Sequence, residues 1–402
     1  MLELATRQAS KSASFADASA DLQELAHIEI SPPHLQRVSE RIGKEWCAVR
    51  DADVEKFRRS KLQRTHPEAP TGAAAVMLDG GRLQTRADDG QGRGVRDARW
   101  RESKVACCLT LQTKAALSDP RPEPPAKFLE PAQVARLAAQ IKRRSRGVVD
   151  EREESADKRG SSARRRKPKR ERSGRRLRRK IARTRVRTVV ATMENSDTFG
   201  WQMAAEVHRR SLDRAKRKAC VCDGQAYNWS VYEMHLRPLG FIPILDFVHL
   251  LTYLYDAAVA CGGSESSAWQ RYERWLRLAW SGKAGELLRQ LRAAAAQSPR
   301  SSAERKTTLE ETITYVTNNR QRMDYPEYRR LGLPISSAPV ESTIKQINRR
   351  LKGSEKFWLT DGAEAMLQLR AAQLSDDDRW RTNWQRLRPH RAASSHRLAQ
   401  AC

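Results

Sequence analysis

The order of elements in this sequence predicts an α/β layered domain, with helices covering a mixed sheet. Two observations carry that reading. Short apolar or alternating runs at Ala73–Leu78, Glu102–Leu111, Val186–Met193, Lys218–Cys222 and Phe241–Leu245 have the length and residue types of strands. Helical patterns at Phe199–Lys216 and Trp229–Leu236 fall between the later runs, giving strand, strand, strand, helix, strand, helix, strand.

Taken in chain order, Asp17 to Arg59 reads as helical, with a Ser-Pro-Pro break at Ser31 to Pro33. Ser31 is placed to cap the next helix, with proline in its first turn. Val38, Ile42 and Trp46 then share one face of that helix. A helix-turn-helix DNA reader and an amphipathic dimerisation helix both have this pattern. Ala73–Leu78 reads as a buried strand that ends at Asp79-Gly80-Gly81, and the alternation over Arg82–Arg86 with the run from Glu102 predicts a hairpin or meander. From Ile141 to Arg185 the chain is mostly Arg, Lys, Ser and Glu, too polar to offset its ordering entropy. Its excess of basic over acidic residues favours a phosphate-gripping arm over a solvated linker. Beyond Asp246, His249 to Asn319 is almost wholly helical in pattern, broken at Gly262-Gly263 and Ser298-Pro299, with Trp269, Trp275 and Trp280 as core. Helices at Val340–Leu351 and Gly362–Leu374 close the pattern.

Composition narrows the partner. The 402 residues carry 76 Lys and Arg against 48 Asp and Glu, a formal charge of +28. Such an excess repels itself unless a polyanion neutralises it, which makes nucleic acid the expected partner. A membrane is the rival, but no apolar run approaches the ~20 residues of a transmembrane helix and Met1 to Ala20 lacks a signal-peptide apolar core. The expectation is a cytoplasmic, nucleoid-associated protein. The seven cysteines, Cys47, Cys107, Cys108, Cys220, Cys222, Cys261 and Cys402, form no C-x-x-C pair and read as reduced thiols.

Three acidic residues stand where metal-dependent phosphoryl transfer would need them: Asp79 and Asp223 after strands, and Glu341 at the start of a late helix. Two divalent cations about 3.5–4 Å apart require carboxylates converging from different elements, and hard oxygen ligands suit Mg²⁺ or Mn²⁺. Singly each signal is weak, because Asp-Gly after an apolar run is commonly a β-turn and an acid in a helix's first turn is favoured by the dipole. On the last of these helices Glu341, Lys345 and Asn348 share a face, with Lys345 either pairing along the helix or reaching a phosphate. Arg349, Arg350 and Lys352 extend the basic surface as expected backbone contacts.

The segments VMLDGGRLQTR around Asp79, WRESKV at Trp100–Val105, CVCDGQAYNW around Asp223, ILDFVHLLTYLYDAA around Asp246, and the block RMDYPEYRRLGLPISSAPVESTIKQINRRLKGSEKFW from Arg322, followed by GAEAMLQLRAA and LSDDDRW, resemble an ISKra-type bacterial insertion-sequence transposase. The similarity covers most of 73–112 and 186–380. It implies an RNase H-like core with a helical insertion before the glutamate, and a DDE enzyme that cuts element ends and joins them to target DNA with two Mg²⁺ or Mn²⁺ ions. By motif, Asp79, Asp223 and Glu341 are the metal-binding catalytic residues, with Asp246 and His249 an auxiliary pair at the site's edge; Asp246 as second ligand is the alternative. The implied partners are the terminal inverted repeats, target DNA and further copies of the chain on DNA. On this reading 1–71 is a helical, candidate DNA-binding segment, 72–117 and 186–256 the two parts of the catalytic domain, 118–185 a basic linker or arm, 257–330 the helical insertion, 331–380 the catalytic domain's C-terminal helices and 381–402 a tail. The stretch before Asp79 is short for such an enzyme, so the alternative is an inactive or truncated transposase-derived DNA-binding protein.

Overall fold

The computed structural model describes residues 1–65, 68–86, 99–145, 182–297, 302–353 and 356–386. Its centre is a five-stranded sheet formed by β1 (Ala73–Thr85), β2 (Arg99–Gln112), β3 (Arg183–Thr192), β4 (Lys218–Cys222) and β5 (Ile242–Leu245), in the order β3-β2-β1-β4-β5. β2 runs antiparallel to β1 and to β3, whereas β4 is parallel to β1 and β5 parallel to β4. The fold is thus mixed α/β, with the sheet flanked by helices.

The helices used below are, in order, α1 (Leu2–Lys11), α2 (Phe15–Ala26), α3 (Pro32–Arg58), α4 (Pro131–Ser145), α5 (Ser196–Arg209), α6 (Ala226–Val231), α7 (Phe247–Ala260), α8 (Glu265–Trp280), α9 (Ala284–Ala296), α10 (Ala303–Asn319), α11 (Tyr325–Arg330), α12 (Ala338–Leu351) and α13 (Thr360–Gln373). Cys107 and Cys108 are adjacent on β2 and so point to opposite faces of the sheet. The Cys107 thiol lies 3.3 Å from Thr343 of α12, and on the other face Arg210, just after α5, donates to the Cys108 carbonyl at 3.0 Å. These two contacts fix α12 on one face and α5 on the other. With both faces covered, β1 can be apolar throughout Ala73–Leu78, where every residue is at most 1% exposed.

β1 departs from the expected turn at Asp79. Instead of ending there it continues to Thr85, paired with β2 from Ala73↔Leu111 to Thr85↔Arg99. Antiparallel pairing satisfies one side of the extended backbone, and at the far end Trp358 satisfies the other, donating to the Gln84 carbonyl at 3.1 Å and accepting from the Arg86 N–H at 2.9 Å. The local turn signal of Asp-Gly-Gly is overridden by this ladder. The parallel partner β4 stops at the Leu78↔Cys222 pair, so Asp79 is the first residue at which β1 outruns its neighbour.

Prolines do occupy the first turn of α3, while the Ser31 side chain makes no capping bond. Val38, Ile42 and Trp46 are buried in the main core, where α3 packs on α13 and the Trp46 ring meets Trp380 at 4.8 Å and Trp384 at 6.0 Å. That apolar face is covered within the chain. Within 118–185, expected as a linker or arm, α4 packs on α7 with Val134 fully buried. The rest of the basic stretch, 146–181, lies outside the described residues, as does most of the tail, 387–402. No helix among the described residues is long and apolar enough to cross a membrane.

The LSDDDRW segment is tied down by a buried ion network. Arg209 donates to Glu206 at 2.8 Å, Arg379 to Glu206 at 2.5 Å, and Arg379 to Asp377 at 2.6 Å. Burial alone would push the Glu206 carboxyl up, but Arg209 and Arg379 outweigh it and hold it at about 2. A carboxylate depressed in the folded state contributes stability that is complete above its unfolded pKa near 4.5 and is lost as pH falls toward 2. Glu206→Gln should therefore lower stability at pH 7 by about 3 kcal/mol, because two half-buried guanidiniums lose a buried, charged partner. Thermal melts of both proteins from pH 7 to pH 2 should converge over that acid window; a gap that stays constant would exclude the charge as its source.

Candidate active site

The end of β4, the end of β5 and the start of α12 bring the acidic side chains of three segments together around β1. Asp79 and Asp223 each follow the paired residues Leu78 and Cys222, so both leave the same end of the β1–β4 pair. Met77, Asp79 and Gly81 share one face by the two-residue period, the face on which Gly81 lies against Ile344 and Asn348 of α12. The Asp79 carboxyl is pushed up to about 7, first by burial, then by the Asp223 charge, with Glu341 adding to the repulsion. Asp223 is raised as well, again chiefly by burial. Asp79 thus feels the charges of Asp223 and Glu341, although all three are far apart along the chain.

Asp246 has a different environment. It is fully buried and N-caps α7, its Oδ1 accepting from the Val248 N–H at 2.5 Å and the His249 N–H at 3.1 Å. Its Oδ2 accepts from the Ser337 N–H at 2.6 Å and from the Ser337 hydroxyl. Ser337 is the N-cap residue of α12, yet its hydroxyl serves Asp246 rather than its own helix, and also approaches Glu341 at 3.3 Å. Burial works to raise the Asp246 carboxyl, but His249 and the Ser337 hydrogen bonds more than offset it and hold the group below its ordinary range.

His249 Nδ1 stands 3.6 Å from Asp246. Burial opposes the imidazolium, but Asp246, Asp223 and Glu341 outweigh it and raise His249 to about 10. His249 thus favours its protonated form beside these carboxylates. Ligand atoms of Asp246, His249 and Glu341 lie within 4.8 Å of one another. Because both Asp246 oxygens are already engaged by four donors, that trio suits an internal polar cluster better than a metal cage. Asp79, Asp223 and Glu341, the expected ligands, are not among the groups whose ligand atoms all lie within 4.8 Å of one another among the described residues.

Several site residues had no legible signal. Tyr227 lies with its hydroxyl buried and without a hydrogen-bond partner, and a Cβ on Gly80 would come within 2.9 Å of it. Asn228 donates to Asp223 at 3.0 Å, and the Tyr315 hydroxyl donates to the Asp223 carbonyl at 2.7 Å. Gly224, at φ +99°, lets Tyr315 approach, since a Cβ there would meet its ring at 2.6 Å. Tyr315 stacks on Tyr253 at 4.0 Å, lining a groove of about 890 Å³ that also holds Trp229, Glu310, Glu311 and Arg322.

The basic residues of α12 divide by face. Lys345 and Arg349 are exposed, Asn348 is half-buried beside Gly81, and Lys352 is half-buried against Trp100. Arg350 is a correction: expected as a backbone contact, it is 2% exposed, donating to the Ala9 carbonyl at 2.7 Å with its guanidinium 4.2 Å from the Phe15 ring centre. Charge alone did not reveal that this residue faces α1 and α2. No protein-family model and no curated protein matches the chain.

The two environments predict opposite stability effects. Asp79→Asn removes a repelled carboxylate and should raise the melting temperature by a few degrees at pH 8 in EDTA. Asp246→Asn keeps the shape but turns one acceptor into a donor facing Ser337, and should lower it. If both substitutions moved the melting temperature the same way, the assignment of strain to Asp79 and of anchoring to Asp246 would be wrong.

Proposed function

We propose that this chain is a DDE-type DNA transposase of an insertion sequence, of the ISKra type that its motifs resemble, with an RNase H-like catalytic core. The reading is supported by Asp79, at the point where β1 outruns β4, lying under the charges of Asp223 and Glu341, on a chain of net charge +28. The strand order β3-β2-β1-β4-β5, with β4 and β5 parallel to β1, supports the RNase H-like core. A pure DNA binder gains nothing from repelled carboxylates placed against an anionic partner.

The donor set fits Mg²⁺ or Mn²⁺: Asp79, Asp223 and Glu341 would hold two ions, and the repulsion that raises Asp79 is what cations relieve. When bound, such ions supply charge neutralisation at the reacting phosphate and acidify the attacking water or 3′-hydroxyl. The remaining tasks fall to the chain. Asp246 and Ser337 set the position of α12 and so of Glu341, while Asn228 orients Asp223 through its Oδ1. His249 balances the carboxylates. Lys345, one turn beyond Glu341 on the same helix face, neutralises a flanking phosphate. Element ends and target DNA are the substrates, held by more than one copy of the chain because two ends must be joined.

Asp79→Asn, Asp223→Asn and Glu341→Gln are each expected to bind DNA like the wild type yet lose nicking of a supercoiled plasmid carrying the coding region and its flanking sequence, in Mg²⁺, by at least a hundredfold. Full cleavage by any one of them removes that residue from the site. Independently of cleavage, Mn²⁺ titration should raise the melting temperature of the wild type and not of Asp79→Asn. No response in the wild type would favour a DNA-binding protein without catalysis.

A further inference from the structure

The WRESKV segment opens with Trp100, a residue with no part in the carboxylate chemistry. Its indole is 42% exposed, whereas Trp46, Trp275, Trp280, Trp358 and Trp384 are buried. Trp100 lies opposite Gln84 in the length of the β1–β2 hairpin that extends past β4. The Lys352 ammonium, at the end of α12, stands 5.2 Å from the ring centre. Arg82, two residues from Gln84 and so on the same strand face, is close enough to Lys352 to add to the effect of burial in holding that ammonium below its ordinary range. Among the described residues neither cation has an ion pair. The nearby acid, Glu102, stands opposite Arg82 in register and lies 3.9 Å from Lys104.

An exposed aromatic face beside two cations that have no ion pair among the described residues has the chemistry of a base-stacking platform with a phosphate clamp. A paired base inside a duplex has no free face to offer, so the matching ligand is an unpaired nucleotide. Gln84 lies five residues beyond Asp79, an odd number, so Trp100 and Arg82 stand on the face of the hairpin opposite to the one that Asp79 and Gly81 share. We propose that Trp100, with Lys352 and Arg82, stacks an unpaired base on that exposed face of the β1–β2 hairpin, outside the carboxylate site. This inference rests on the reading of the site as a DNA-processing one.

The test uses the full chain in EDTA, so that metal plays no part. Fluorescence anisotropy with a labelled single-stranded oligothymidylate and with a blunt duplex of equal length is measured at high salt, where general attraction to the backbone is screened. Trp100→Ala should weaken the single strand about tenfold and leave the duplex unchanged, Trp100→Phe should keep most of the affinity, and Lys352→Ala should lower the salt slope for the single strand by about 0.7. Iodouracil in the oligonucleotide should photo-crosslink to Trp100. Unchanged single-strand affinity in Trp100→Ala, or equal displacement of the oligonucleotide by polyglutamate, would overturn the proposal. If the Trp100 effect holds but the wild type never nicks DNA, the enzymatic reading fails and the stacking site stands; if the wild type nicks and Trp100→Ala binds normally, only the stacking site falls.

Discussion

A single buried carboxylate fastens two helix starts to the end of the sheet. Asp246 sits immediately after β5, its own N–H donating to the Cys222 carbonyl at 2.8 Å, and its oxygens collect donors from the first turn of α7 and from the residue that caps α12. Both helices direct the positive ends of their dipoles at it, which is where an anion is favoured. The orientation of α12 decides where Glu341 stands, and the join to Cys222 holds the segment that leads into Asp223. The other acidic positions therefore depend on Asp246 being charged, buried and fully bonded.

Residues of one type thus serve opposite ends within a few ångströms. Asp246 is held ionised because every lone pair has a donor, while Asp79 is pushed toward the neutral form because burial and Asp223 oppose its charge. An acid that the fold satisfies is structural; an acid that the fold leaves repelled is poised for a cation. His249 softens that repulsion without abolishing it, since it lies against Asp246 and acts on Asp79 and Asp223 at longer range.

How far this was legible follows from where each signal is stored. The strands and their order could be read because a sheet covered on both faces needs near-continuous apolar runs, and Ala73–Leu78 and Lys218–Cys222 supply them. Asp79 and Asp223 could be placed after strands, but neither the pairing of those strands nor the continuation of β1 to Thr85 could, because Asp-Gly-Gly speaks locally for a turn and only the β2 ladder overrides it. Lys345 and Arg350 lie on one helix with the same charge. Only the packing of α1 and α2 puts one in solvent and the other under Phe15. The bond of Ser337 to Asp246, 91 residues away, is a tertiary fact with no local signal.

The helical insertion is more than an appended module. Tyr325 donates to the Leu245 carbonyl at 3.1 Å, Tyr315 to the Asp223 carbonyl at 2.7 Å, and buried Arg329 pairs with Asp119 while standing 4.1 Å from the Trp280 ring centre. These bonds make α10 and α11 a wall of the site on the Asp223 side. That wall bears Glu310 and Glu311, with Glu233 across the groove, so it is locally acidic on a strongly basic chain. For the function proposed, a DNA backbone drawn by the overall charge would meet repulsion there and attraction along α12, where Lys345 and Arg349 are exposed. On that reading the scissile strand approaches over α12 and the β1–β2 hairpin, and the insertion confines it from the other side without gripping it.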